Sequence, residues 1–202
     1  MDLLKQQEEL HIEGQKVLDG LVLLPELQKY GEPIIVGSFA LELLTRRDID
    51  VEVIVESLDK KQVQGICSYL VGLNLPRMDL TVMDNTLDKV PQLPNSYYVG
   101  IKYIDKNVPF NDRNTRNPLA WQIDIHFLTS EDSKARAKDE EIKSKLTPER
   151  KLSILEIKYF MATNPKYHRT IFSVDVYDAV LDHGVKDLEG FQKYLQESGR
   201  EL

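Results

Sequence analysis

With a single cysteine, Cys67, in 202 residues, the chain has no intrachain disulfide framework, and its core must hold by packing alone. Long apolar runs are missing too, since no stretch approaches the ~20 residues that a membrane-spanning helix needs. The opening MDLLKQQEEL lacks the basic start and sustained apolar region of a secretory leader, so a cytoplasmic protein without a membrane partner is expected. Positive charge is scarce: 26 Lys and Arg stand against 33 Asp and Glu, a net charge of -7, which disfavours broad binding to nucleic-acid backbones. Internal repeats and low-complexity segments are absent as well. What is present is ordinary globular material, 42% hydrophobic and 29% charged, enough for one domain or a domain with a small helical appendage. Cys67 itself reads as packing.

Residues 2–30 keep a helical apolar spacing through Leu3, Leu10, Val17, Leu21 and Leu24, with interruptions expected near Gly14 and Gly20 and weakening at Pro25, so two helical pieces are predicted. A short strand at 34–36 ends in Gly37 and Ser38, and SFALELLTR then reads as a helix with Ser38 as its N-cap. DIDVEVIV alternates acid and aliphatic and predicts a strand with one acidic face. LDKKQVQGICSYLVGLN follows as a helix, RMDLTVMD as a strand, and YYVGIKYI and LAWQIDIHFL as two longer strands flanking a polar loop at 105–118. The order predicts an α/β (α+β) fold with a mixed β-sheet flanked by helices. A charged stretch, TSEDSKARAKDEEIKSKLTPER, marks the boundary between a core at 1–140, N-terminal helices included, and a C-terminal helical region at 147–202 built from three helices.

Asp48 and Asp50 sit in an otherwise apolar segment, where unpaired carboxylates are costly to bury. Strand alternation sets like-facing residues ~6.6 Å apart at Cα, so both can reach one cluster of divalent ions. Magnesium prefers hard oxygen ligands and is commonly held by one or two carboxylates plus substrate phosphates. A two-ion site needs a further carboxylate from a neighbouring strand, and the candidate is Asp124, whose flanking Ile123 and Ile125 face the core. Gly37 and Ser38, between strand and helix, offer backbone N–H groups of the kind that bind phosphate, with little side-chain bulk in the way.

The ordered combination Val36-Gly37-Ser38, nine intervening residues, Asp48-Ile49-Asp50-Val51, and a later Ile123-Asp124-Ile125 resembles the nucleotidyltransferase superfamily that includes DNA polymerase beta, in particular its small bacterial, archaeal and antibiotic-modifying members. The resemblance covers roughly residues 30–130. It implies a nucleotidyltransferase core in which Gly37 and Ser38 hold the β- and γ-phosphates of a nucleoside triphosphate, ATP being the expected donor. It further implies that Asp48, Asp50 and Asp124 bind two Mg2+ ions, with Mn2+ a substitute, and that Asp124 is the base for a hydroxyl acceptor of unknown identity, small molecule or protein. Transfer of a nucleoside monophosphate would release pyrophosphate. Thr45, Arg46 and Arg47 depart from the pattern, since many members carry a small Ser there. Arg47 is taken as nucleotide-binding, although both arginines could equally offset the acidic cluster.

Several other residues admit two readings. Lys158, set among apolar positions, either reaches the triphosphate or snorkels to solvent, and Lys151 is a second candidate for the same role. His126 either orients Asp124 or is structural. Trp121, Tyr97, Tyr98 and Tyr103 either stack a base or pack. Arg113 and Arg116 could steer an anion, Glu52 reads as solvated or ion-paired, and helix packing accounts for His168 and Tyr177. A homo-oligomer is compatible with everything above. The competing functional readings are a catalytically silent nucleotide-binding or protein-interaction module of the same fold, and a structural protein whose acidic strand face packs on a basic partner.

Overall fold

The computed structural model describes residues 2–73, 75, 77–87, 94–104 and 119–202. Two helices, α1 (Leu3–Gly20) and α2 (Leu23–Leu27), lead into β1 (Glu32–Val36) and a single helical turn, α3 (Gly37–Ala40). β2 (Asp48–Ile54), α4 (Lys60–Gly72), β3 (Met78–Asp84), β4 (Tyr97–Tyr103) and β5 (Trp121–Leu128) follow. The chain continues through α5 (Ala135–Lys145), α6 (Pro148–Met161), α7 (Ser173–Asp182) and α8 (Leu188–Glu197). The five strands form one mixed sheet in the order β1-β2-β5-β4-β3, with β2 and β5 parallel and the other pairs antiparallel. Flanking helices complete the α/β architecture expected from the alternation of elements.

Alternation assigns the faces of the sheet. Ile49, Val51 and Val53 of β2, Ile123, Ile125 and Phe127 of β5, and Val99 and Ile101 of β4 are fully buried, and they pack with Leu18, Leu21, Leu23 and Leu27 of the N-terminal helices and Ile66 and Leu70 of α4. The opposite face carries Asp48, Asp50 and Glu52 of β2 beside Gln122, Asp124 and His126 of β5, because Cα partners in paired strands point the same way. A second apolar cluster joins α6, α7 and α8 and takes in Leu41, Leu43 and Ile142. Helix starts follow their sequence signals: Asp59 and Gln62 form a capping box on α4, and Thr147 caps α6 with Pro148 at its first position.

Several local expectations give way to tertiary packing. The helix expected over SFALELLTR stops after one turn, with Glu42 in the left-handed region at φ 55°, and Ser38 lies inside that turn with Val36 as the N-cap. The reason is burial of both sides of the segment, since Leu44 joins the sheet core while Leu41 and Leu43 join the C-terminal cluster, which a continuous helix could not allow. Gly14 does not interrupt α1; a Cβ there would run into the rings of Phe39 and Trp121, so the glycine permits a close helix–sheet contact. The charged stretch before residue 147 contains a helix, α5, whose Asp139 and Ile142 are buried. The 105–118 loop, with Arg113 and Arg116, lies outside the described residues.

Candidate active site

Gly37 and Ser38 are carried to the carboxylates by the antiparallel pairing of β1 with β2, which sets Val36 opposite Asp50. Gly37 adopts φ +69°, and a Cβ on it would stand 2.8 Å from Asp50 Oδ2. The position therefore needs glycine twice over, for its backbone conformation and for the approach of the turn to the acid. The Gly37 N–H donates to Asp139 Oδ2 at 2.7 Å, tying the turn to α5. Burial pushes the Asp139 carboxyl up, and this N–H opposes the effect.

Asp50 and Asp124 are Cα partners across the parallel β2–β5 pair, and Asp48 is partnered with Gln122, so the three sequence-predicted carboxylates share one sheet face. Each is held differently. Arg46 Nε and Nη2 donate to Asp48 Oδ2 at 3.0 and 2.6 Å, while Asp48 Oδ1 is buried and has no hydrogen-bond partner. Tyr98 Oη donates to Asp124 Oδ1 at 2.6 Å, and Gln122 Nε2 donates to both Asp124 oxygens at 3.1 and 3.2 Å. Burial, then the negative charges of Asp48 and Asp124, push the Asp50 carboxyl up to about 8. Burial also raises Asp48, against the pull of the Arg46 guanidinium.

Among the described residues no three His, Cys, Asp or Glu side chains converge closely enough to grip a metal ion as they stand. The trio nevertheless fits a hard divalent cation on two observations. Asp48 keeps a buried carboxylate oxygen with nothing to bond, which costs free energy unless a cation or donor satisfies it. Asp50 is crowded by two acids whose repulsion a cation would offset. The repulsion gives a sign for metal-free protein. Because the folded value of Asp50 lies above the ordinary carboxylate range, folding favours its neutral form; the stability it contributes is complete below about pH 4 and lost as pH rises through about 8. Melting temperatures in chelator are expected to fall between pH 5 and 8 with a component that Asp50→Asn removes, and a wild-type slope no steeper than the variant's would refute it.

Lys158 points inward and does not snorkel. It is 3% exposed, and its Nζ donates to Ser38 Oγ at 2.8 Å, to the Leu43 carbonyl at 2.6 Å and to Tyr177 Oη at 3.1 Å. Burial lowers its ammonium to about 8, partly opposed by Tyr167 and Asp48. Ser38, Arg46, Asp48, Lys158, His168 and Ser173 line a narrow recess of about 10 Å³. His168, at φ 62°, lies at its edge, held at about 4 by burial and by the positive charges of Arg46 and Lys158.

Arg47 is not brought to the site. Its Nε and Nη2 pair with Glu13 of α1 at 2.7 Å each, and Glu13 also accepts from Trp121 Nε1, so this arginine braces α1 against β5. Arg46, its neighbour, is the cation at the carboxylates. Lys151 pairs with Glu42 at 2.8 Å and stays on the surface. Glu52 is neither solvated nor in an ion pair among the described residues; it is buried and accepts from Ser133 Oγ at 2.6 Å. His126 shares a 3.0 Å hydrogen bond with Ser96 Oγ. Sequence reasoning missed the link from Tyr98 to Asp124 and the link from Asp139 to Gly37. A hint of the first was Gly100, a glycine inside an alternating strand two residues after Tyr98.

No protein-family profile matches the chain, and no curated protein matches it in sequence. Solved structures do. A Cid1 poly(U) polymerase with MgGTP bound superposes with a TM-score of 0.59 at 18% identity, over 86% of this chain and 50% of the polymerase. The chain shares the fold of that polymerase over this span. A cytoplasmic RNA terminal U-transferase gives a TM-score of 0.54 at 16% identity, over 90% and 51% of the two chains. The Cid1 enzyme with its short product ApU gives 0.53 at 16%, over 89% and 53%. The chain thus spans about half the length of the enzymes it matches. No helix among the described residues is long and apolar enough to cross a membrane.

Proposed function

We propose that the protein transfers a nucleoside monophosphate from a nucleoside triphosphate to a hydroxyl acceptor and releases pyrophosphate. The observation that supports this most is the meeting of a Gly-Ser turn with three carboxylates on one sheet face, one of them carrying a buried, unpartnered oxygen. Asp48, Asp50 and Asp124 would hold two Mg2+ ions, or Mn2+ in their place. When bound, such ions polarise an acceptor oxygen and neutralise charge on the leaving phosphates. Ser38 and the N–H groups of the turn beyond Gly37, whose own N–H is held by Asp139, would receive the β- and γ-phosphates, with Lys158 donating to the Ser38 hydroxyl. Since the recess holds less than a phosphate needs, Arg46, whose side chain is half exposed, leaves Asp48 as the donor enters. Asp124 accepts the proton of the attacking hydroxyl, its orientation fixed by Tyr98 and Gln122.

A second reading concerns the acceptor. The structural neighbours act on RNA, as poly(U) polymerase and RNA terminal U-transferase, which favours an RNA 3′ hydroxyl. The net charge of -7 favours a small-molecule or protein hydroxyl. Extension of a labelled RNA oligonucleotide separates the two. A silent binding module of the same fold is disfavoured by the retention of all three carboxylates.

The donor site is tested by melting wild type and Asp50→Asn with ATP, GTP, UTP or CTP plus Mg2+, reading only the ligand-induced shift within each variant. At 100 times its dissociation constant a donor adds about 2.7 kcal/mol, about 5–10 °C for a chain of this size. A magnesium-dependent shift in wild type that Asp50→Asn abolishes is expected, and the nucleotide giving the largest shift is the donor. Absence of any shift at millimolar nucleotide would reject the reading.

A further inference from the structure

The acceptor side of the carboxylate cluster already contains a hydroxyl. Register sets Gly100 of β4 opposite Asp124, with Tyr98 opposite His126 on the same face. Because Gly100 has no Cβ, the phenol ring of Tyr98 lies down across it, through space that a side chain at residue 100 would fill. Oη thereby reaches Asp124 Oδ1 and donates to it at 2.6 Å. An O–H that donates to the base at hydrogen-bond distance has the relation to Asp124 that an attacking hydroxyl requires. The residue is half-buried.

From this juxtaposition we infer that Tyr98 is itself an acceptor, and that the protein attaches a nucleoside monophosphate to its own Tyr98 Oη. The inference rests on the nucleotidyltransferase reading given above. The Tyr98 oxygen forms a bond to the α-phosphorus of the nucleoside triphosphate. The bond from that phosphorus to the oxygen bridging to the β-phosphorus breaks, pyrophosphate leaves with the electron pair, and the phenolic proton passes to Asp124. The product is a tyrosine joined to the nucleoside through a phosphodiester. It stands where an external acceptor would enter, so the modification limits itself to one per chain and closes the site to other hydroxyls.

Two measurements on the 202-residue chain test the inference and the reading beneath it separately. Intact-mass and peptide mapping after incubation with ATP, GTP, UTP or CTP and Mg2+ read the modification. Melting with the corresponding α,β-methylene nucleotides, which bind but cannot transfer, reads the donor site. The expected result is a gain of one nucleoside monophosphate that maps to Tyr98 and is absent from Tyr98→Phe. A melting shift with the analogue but no added mass, or added mass on another residue, overturns the inference and leaves the donor site standing. No shift with any analogue and no added mass overturns both.

Discussion

Asp124→Asn slows pyrophosphate release by about 10²–10⁴-fold while leaving most of the nucleotide-induced melting shift in place. The expectation rests on the division of labour among the three carboxylates. Asp48 and Asp50 flank the Gly-Ser turn, Asp48 with an unpartnered oxygen and Asp50 with its carboxyl pushed up to about 8, so donor and metal binding depend on them first. Asp124 sits across the β2–β5 pair, held by Tyr98 and Gln122, and is the base of the proposed transfer. An amide keeps the shape and can still accept from Tyr98, so the fold is retained, but it cannot take a proton. Pyrophosphate release from the best donor under single-turnover conditions, with melting on the same samples, reads both halves of the prediction. Equal loss of melting shift and turnover would show that Asp124 serves the donor instead, and an unchanged rate would remove it from the chemistry.

Lys158→Met lowers stability by about 2–4 kcal/mol and weakens donor affinity at least tenfold, about 1.4 kcal/mol. Two effects oppose each other here. Removing a buried ammonium recovers its desolvation, and methionine fills similar space along an apolar helix. Against that, three hydrogen bonds disappear: the Leu43 carbonyl loses the lysine as its donor inside the protein, while Ser38 Oγ and Tyr177 Oη keep only the 3.0 Å bond they share. The loss wins, because a buried carbonyl left without its donor and the loss of two further charge-assisted bonds outweigh the desolvation recovered. The two readouts distinguish the roles of the lysine. A fall in melting temperature of about 5–10 °C registers the loss of the Leu43 and Tyr177 bonds, and a weaker nucleotide shift registers the loss of the lysine from the Ser38 hydroxyl. Unchanged melting would mean that this hydrogen-bonded arrangement contributes nothing net to folding.

Much of this site is visible in the sequence because strand alternation is a local property. DIDVEVIV and WQIDIHFL declare which residues face the core, and the acids fall on the other side in both, so the carboxylates can be named before their strands are known to pair. The Gly-Ser turn is similarly local, since a strand ending in two small residues leaves room at its end. Arg46 and Arg47 show where locality fails. They are adjacent and chemically identical, yet one reaches Asp48 and the other Glu13, a choice set by where α1 passes beneath the loop, thirty-odd residues upstream in the chain. The one-turn helix α3 fails for a related reason: LELL has strong helix propensity, but its leucines are claimed by two different apolar clusters.

The sequence by itself determined the alternation of elements, the buried faces of the strands, and the three carboxylates and small turn residues of the candidate site, since each depends only on neighbours a few positions apart. Tertiary structure alone decided their assembly. Parallel pairing of β2 with β5 placed Asp50 beside Asp124, packing of α6 under the turn brought Lys158 to Ser38 across 120 positions, and the β4–β5 register laid Tyr98 on Asp124. Those contacts join residues far apart in the chain, and their partners are fixed by strand order and by burial of the whole apolar surface, which no local pattern encodes.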